Sequence, residues 1–242
     1  MVQINTSHKI LCANWKMNLG SSASAELSIN LLPWTQKLAK SVVWVAPSFT
    51  SIAAVANIFK NSKVSLGAQN VHWNNSGAFT GEISALMLKE EGVVFGIIGH
   101  SERRHVFFES DEMISKRLKN CIFNGLLAIL CIGENEEERK KGLTKDVIQR
   151  QISTALNGFS DNEISSLLIA YEPVWAIGTG VVASLSQIEE AHKLIQTEVL
   201  KFSRNIVPPI LYGGSVAPDN FKEIIKISNV SGALIGLSLI HI

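Results

Sequence analysis

Residues 126–132 read LLAILCI and residues 166–172 read SLLIAYE. Neither stretch alternates apolar with polar side chains, as a strand with one wetted face does. A short uninterrupted apolar run is how a parallel strand buried on both faces reads. Working outward, similar β-branched and apolar runs occur at 9–14, 42–46, 64–68, 93–99, 209–212 and 232–236, so the chain offers eight strands. Between them lie amphipathic stretches at 24–40, 111–124, 146–156 and 186–202. In the last, Ile188, Ala191, Ile195 and Val199 form one apolar stripe at helical spacing. Eight strands alternating with helices, with no linker-like tract, point to a single closed (β/α)8 barrel; a doubly wound open sheet is the competing α/β arrangement. The length of 242 residues suits the barrel, which typically takes about 250.

Composition narrows the function classes. The chain is 46% hydrophobic and 18% charged, which supplies a core and argues against disorder. A formal charge of +1 gives no general attraction to nucleic acid or to an anionic membrane. Any anionic ligand must therefore be held by a local site. No apolar run approaches the roughly 18–20 residues needed to span a bilayer. The N-terminal MVQINTSHK lacks the apolar core of a signal peptide. Cys12, Cys121 and Cys131 are an odd number without C-x-x-C spacing, which suits reduced thiols in the cytoplasm. No His and Cys cluster has zinc-like spacing, so no metal is expected.

In a closed barrel the chemistry is expected at the C-terminal ends of the strands. The unusual residues of this chain fall there. The first strand ends in Asn14-Trp15-Lys16. On extended chain, positions two apart share a face, so Asn14 and Lys16 point one way and Trp15 the other. Lys16 can hold a phosphate or stabilise an oxyanion, or it can be a surface lysine. The fourth strand ends in GIIGHSERR, where His100 precedes what reads as a short helix start. A helix N-terminus disfavours an imidazolium, so a neutral His100 there can donate to a carbonyl; the alternative is a histidine satisfied by backbone. Glu102 either pairs with Arg103 or positions Lys16.

The sixth strand leads into YEPVWAIGTGVVA at 171–183. Glu172 ends an apolar strand, beside Pro173, and a carboxylate withdrawn from water is a stronger base than one in it. Val174, Trp175 and Ile177, followed by Gly178 and Gly180, suit a hinged lid. Gly178-x-Gly180-x-x-Ala183 imitates a dinucleotide fingerprint, but it does not directly follow the strand and Glu198 does not end the next one, so no such cofactor is inferred. The seventh strand ends in YGGS and the eighth near Gly236. Glycine-rich ends of those two strands suit an anion site. The run 134–141 reads as a solvated face opening a helix.

Together, NWKMN at 14–18, GAFTGE at 77–82, GHSERR at 99–104, CIGE at 131–134, YEPVWAIGTG at 171–180 and YGGSV at 212–216 resemble the triosephosphate isomerase family over residues 10–236. The resemblance implies a TIM barrel that interconverts dihydroxyacetone phosphate and D-glyceraldehyde 3-phosphate, without cofactor, in glycolysis and gluconeogenesis. It implies Glu172 as the base that shuttles the proton. His100 and Lys16 would polarise the carbonyl and stabilise the enediolate, and Asn14 would help to place it. The backbone NH groups of Gly178, Ser215 and Gly236 would grip the phosphate, with Tyr212 and Ser215 securing the closed lid. In the family the aperiodic segment 69–82 docks into a neighbouring subunit, the residue matching Thr80 lying near that subunit's site. A cytoplasmic homodimer is therefore expected, acting on a small phosphorylated triose and on neither nucleic acid nor membrane.

Two departures stand out. The outer lid hinge reads Val181-Val182-Ala183, where the family often has a polar or basic pair before the alanine. Residues 237–242 read LSLIHI, the in-frame translation of a transposase mosaic end used in preparing sequencing libraries. These six are expected to be foreign to the native chain. The barrel is thus assigned to residues 1–236, and its last helix is expected to be missing.

Overall fold

A computed structural model describes residues 7–178 and 181–236. The reading of residues 237–242, and of the final helix with them, lies outside the described residues. Eight strands are found where eight are expected: β1 (Lys9–Asn14), β2 (Ser41–Ala46), β3 (Ser65–Ala68), β4 (Phe95–Ile98), β5 (Leu127–Ile132), β6 (Leu167–Tyr171), β7 (Ile210–Tyr212) and β8 (Gly232–Ile235). They pair in chain order as a closed barrel. Parallel pairing of β1 with β8, from Ile10 opposite Gly232 to Ala13 opposite Ile235, closes the ring and excludes the open sheet.

The apolar runs now have their cause. Along β5, Leu127, Ile129 and Cys131 face the barrel interior with Ile10, Phe95 and Leu168. The alternate residues Ala128, Leu130 and Ile132 pack outward, in the layer that the helices complete through Ile152 and Ile188. Both faces are dry, so neither can be polar. Each fully buried Leu or Ile stabilises the fold by roughly 1.5–3 kcal/mol relative to exposure.

The helices are α1 (Ser21–Lys37), α2 (Ile52–Phe59), α3 (Ala85–Glu90), α4 (Ser101–His105), α5 (Asp111–Phe123), α6 (Glu136–Lys140), α7 (Thr144–Leu156), α8 (Asp161–Ile164), α9 (Leu185–Val199) and α10 (Phe221–Ile224). The four expected long helices are α1, α5, α7 and α9. In α9 the stripe Ile188, Ala191, Ile195 and Val199 is buried, as its spacing predicts. Ser184 and Gln187 form a capping box that starts this helix, a device worth about 1 kcal/mol. The helix stops at Val199, earlier than its pattern suggests, because Lys201 and Phe202 turn back to the carbonyls of Glu198 and Val199. Helix α1 starts at Ser21 rather than 24, and Ser24 is buried within it. No described helix is long and apolar enough to cross a membrane.

Candidate active site

Strand β1 delivers Asn14 and Lys16 differently from what extended chain predicts. The strand ends at Asn14, and Lys16 has φ 53. That left-handed conformation costs a non-glycine residue about 1–2 kcal/mol, and it breaks the two-residue rule for sharing a face. Asn14 and Lys16 meet by another route: Asn14 Oδ1 accepts the Lys16 N–H at 3.0 Å. Trp15 does turn into the core, 2% exposed. Asn18 donates to the Trp15 carbonyl at 2.8 Å, and Gln69 donates to the Lys16 carbonyl at 2.8 Å. The Lys16 ammonium is 2.6 Å from Glu102 Oε1. Its stem also lies over Gly236, where an added Cβ would stand 3.5 Å from Lys16 Cε. Of the two readings of Glu102, the structure selects the partner of Lys16; Arg103 pairs with Glu109 instead, at 2.6 Å.

His100 caps α4. Its Nδ1 accepts the Glu102 N–H at 3.2 Å, which commits that nitrogen's lone pair and leaves the ring proton on Nε2. Nε2 then faces Glu172 Oε1 at 3.1 Å. The carboxylate of Glu102 is committed to Lys16 and stands 3.5 Å from Nδ1, too long for an ordinary hydrogen bond. Nδ1 as acceptor and Nε2 as donor is the arrangement expected at this strand end.

Glu172 follows β6 directly and is 2% exposed. Its second oxygen accepts the Ser101 N–H at 2.7 Å, a charge-assisted bond of about 1.5–3 kcal/mol. The side chain has room on one flank because residue 213 is glycine; a Cβ there would come within 2.9 Å of Glu172 Cγ. A buried carboxylate, an imidazole nitrogen and an ammonium therefore converge at the mouth of the barrel. Such a set can take a proton from carbon while stabilising the oxyanion that results.

The segment expected to form a lid runs from this carboxylate through a 3₁₀ turn, Val174–Ala176. Gly178 has φ 69, a backbone that favours glycine. Residues 179 and 180, and with them the reading of Gly180, lie outside the described residues. At the outer hinge Val181 and Val182 are exposed while Ala183 is buried. Ser215 Oγ donates to the Ala176 carbonyl, which ties the turn after β7 to the segment after Glu172. The Tyr212 hydroxyl is buried beside the Ala183 main chain, without a hydrogen bond of ordinary geometry. Burial pushes this phenol up to about 12, the Ala183 contact acting the other way. Thr80 is exposed in the 69–82 loop and shares no hydrogen bond with these residues among those described.

One reading is overturned. Residues 134–141 are not all a solvated face, because Glu134 is 0% exposed. Its carboxylate accepts from Tyr171 Oη at 3.1 Å and from Trp175 Nε1 at 2.9 Å, with Arg139 Nη1 at 3.3 Å. The Glu134 carbonyl also accepts from Val174 N at 3.0 Å. Glu134 stands two residues past the end of β5, beyond Gly133, whereas Glu172 directly follows β6; the closeness of Glu134 to a strand end was the available signal. Sequence reasoning also gave no role to Gln69, or to buried Arg117, which bonds the Val71 carbonyl, Glu82 and Glu109 and so braces the 69–82 loop. Among the described residues no acidic, His or Cys group is arranged to hold a metal.

Comparison with known proteins agrees with this geometry. The family model for triosephosphate isomerase matches residues 9–241. The chain is 43% identical to the triosephosphate isomerase of Thermodesulfovibrio yellowstonii over 230 residues, 94% of this chain and 93% of that one. It is 44% identical to the enzyme of that name from Chlorobium chlorochromatii over 232 residues (94% and 91%), and 42% identical to that of Aquifex aeolicus over 230 residues (94% and 93%). By motif, barrel and matched length alike, the chain belongs to the triosephosphate isomerase family.

Proposed function

We propose that the protein interconverts dihydroxyacetone phosphate and D-glyceraldehyde 3-phosphate, serving glycolysis and gluconeogenesis, with Glu172 as the base. The observation that carries this is the carboxylate itself: nearly fully buried, at a strand end, and 3.1 Å from His100 Nε2. Glu172 leaves the Ser101 N–H and takes the proton from the carbon next to the carbonyl. The electron pair moves onto the carbonyl oxygen, where His100 Nε2–H and the Lys16 ammonium hold the enediolate. The hydroxyl proton on the first carbon's oxygen passes, by way of His100 Nε2, to the oxygen that was the carbonyl. Glu172 then returns its own proton to the neighbouring carbon, and the first carbon becomes the carbonyl. Asn14 serves through the Lys16 main chain that it binds.

Backbone NH groups at Gly178, Ser215 and Gly236 suit the phosphate, since Gly236 lies under Lys16 and Ser215 under the lid. Closure, secured by Tyr212 and Ser215, keeps water from an intermediate that can otherwise eliminate its phosphate. In a coupled assay Glu172→Asp, which draws the carboxylate back by about 1 Å, should lose on the order of 10²-fold in kcat. Activity kept within about threefold would remove Glu172 from the mechanism.

The same reading makes the protein a homodimer. Met17, Phe49, Phe79, Met87, Phe107 and Phe108 are exposed on the segments that follow β1 to β4, one side of the barrel. A second copy covering that side would bring Thr80 to its neighbour's mouth. Sedimentation equilibrium should show a dimer at micromolar concentration, and a monomer there would exclude it. We assign the protein to the cytosol, supported by three free cysteines, all buried.

A further inference from the structure

Lys16 carries the charge of the site on a main chain that a lysine does not adopt unaided. Its φ is 53, and three residues later Leu19 stands at φ 62. Loop 15–19 contains no glycine that would make such turns easy. What holds Lys16 is a pair of carboxamides. Asn14 Oδ1 takes its N–H at 3.0 Å, and Gln69 Nε2 donates to its carbonyl at 2.8 Å. The second hydrogen of the same Gln69 nitrogen goes to the Ala46 carbonyl at 3.0 Å. Ala46 ends β2, and its carbonyl also accepts the Trp15 N–H at 3.0 Å.

We infer that Gln69 is a positioning residue of the isomerase site, its carboxamide fixing the left-handed Lys16 main chain so that the ammonium lies at the anion-binding mouth. The inference rests on the proposed function for what the ammonium does, but the clamp stands on geometry alone. Gln69 follows β3 immediately, so the barrel sets its origin. Two carbonyls from different strand ends converge on one nitrogen, and an uncharged primary amide supplies the two hydrogens they need. A carboxylate there would set acceptor against acceptor, and a hydrocarbon would take this donor from the Lys16 carbonyl and leave the Ala46 carbonyl with the Trp15 N–H alone. Without the clamp Lys16 relaxes to negative φ, which swings its Cβ and carries Nζ away from Glu102 and Gly236.

The test uses Gln69→Leu and Gln69→Glu, with Gln69→Asn (one methylene shorter) as the milder variant should either fail to fold. Crystal structures give φ at Lys16, and calorimetry gives the affinity for inorganic phosphate. The coupled assay gives kcat and KM. The expected result is Lys16 leaving the left-handed region, with kcat/KM lower by on the order of 10–100-fold and weaker phosphate binding. In a Lys16→Ala background the same Gln69 change should alter phosphate affinity by less than about twofold, because coupled residues do not add. An equal loss in that background would overturn the proposal. So would a Lys16 still at its original φ in every folded variant. Were the unmodified protein inactive, the isomerase reading would fail, while φ and phosphate affinity would still decide the role of Gln69.

Discussion

Glu134 and Glu172 follow neighbouring strands of one barrel, two residues and one residue past their ends, and are equally hidden from water, at 0% and 2% exposure. Their surroundings differ. Glu134 is held by a phenol, an indole and a guanidinium. Glu172 has one backbone N–H and one imidazole N–H, and a glycine stands beside its Cγ. A buried carboxylate whose oxygens are fully engaged is a structural brace, here fastening the root of the lid through Trp175. One with fewer partners and a free flank can change its bonds during a reaction. Burial is common to both, so it is the number of partners and the space alongside that separate a working carboxylate from a fixed one.

The widest separation is expected in kinetics. Glu172→Gln keeps the shape and removes the base, so kcat should fall by about 10²–10⁴-fold, equivalent to about 3–5 kcal/mol of barrier. Its thermal midpoint should stay within a few degrees of the parent. Glu134→Ala should show the reverse weighting. It strands the buried Tyr171 hydroxyl, which costs about 1–3 kcal/mol when unmet, and removes the acceptor of the half-buried Trp175 indole N–H. A total near 3 kcal/mol would lower the midpoint by about 6–12 °C in a chain of this size. Should Glu134→Ala melt with the parent, the brace reading is wrong; should Glu172→Gln melt far below it, the two carboxylates are not functionally distinct.

How far the sequence reveals this pair is instructive. The barrel was legible because LLAILCI and SLLIAYE need two dry faces, and strand pairing shows both. Glu172 was legible because it ends such a run next to Pro173. Glu134 stands one glycine beyond such a run, yet it begins ENEEERKK, and that charge run hides a residue whose partners Tyr171 and Trp175 lie some forty positions on. Lys16 was located but its conformation was not, since no glycine marks the left-handed turn. Gln69 opens a segment without periodicity, and nothing local shows that its amide reaches back to two other strand ends.

The braced side of the barrel also carries a pH signature. His192 on α9 stands edge-on to Tyr171, the ring centroids 6.0 Å apart. Its Nδ1 lies 3.0 Å from the Asn229 carbonyl, and Nε2 has no hydrogen-bond partner among the described residues. Burial pushes its pKa down from 6.5 to about 4, the Asn229 carbonyl acting the other way. The native ring therefore stays neutral while the unfolded chain binds a proton as pH falls below 6.5. Stability is unaffected above that value and is lost between about pH 6.5 and 4, by about 3 kcal/mol in all. Urea midpoints at pH 7 and pH 4.5 should show the loss, and His192→Gln, which can still donate to Asn229, should flatten it. An unchanged slope in that variant would remove His192 as the cause.

The smallest effect tests the free flank of Glu172 itself. The two carboxylates each have a glycine nearby, and the two glycines are not alike. A Cβ at Gly133 would stand 1.9 Å from the Glu172 carbonyl oxygen, at φ 156, so alanine there must displace main chain. At Gly213 the new methyl would meet Glu172 Cγ at 2.9 Å and the Tyr171 carbonyl oxygen at 3.1 Å. The first contact is with a side chain that can turn, and the second needs only a few tenths of an ångström. Gly213→Ala should therefore fold, losing about 1 kcal/mol as in other mild overpacking. The cost should appear instead in motion: Glu172 would be held to fewer rotamers, and kcat should drop by about tenfold, about 1.4 kcal/mol, with KM nearly unchanged. If kcat in Gly213→Ala equals that of the parent, the space beside Glu172 is packing slack, and only the number of its partners distinguishes it from Glu134.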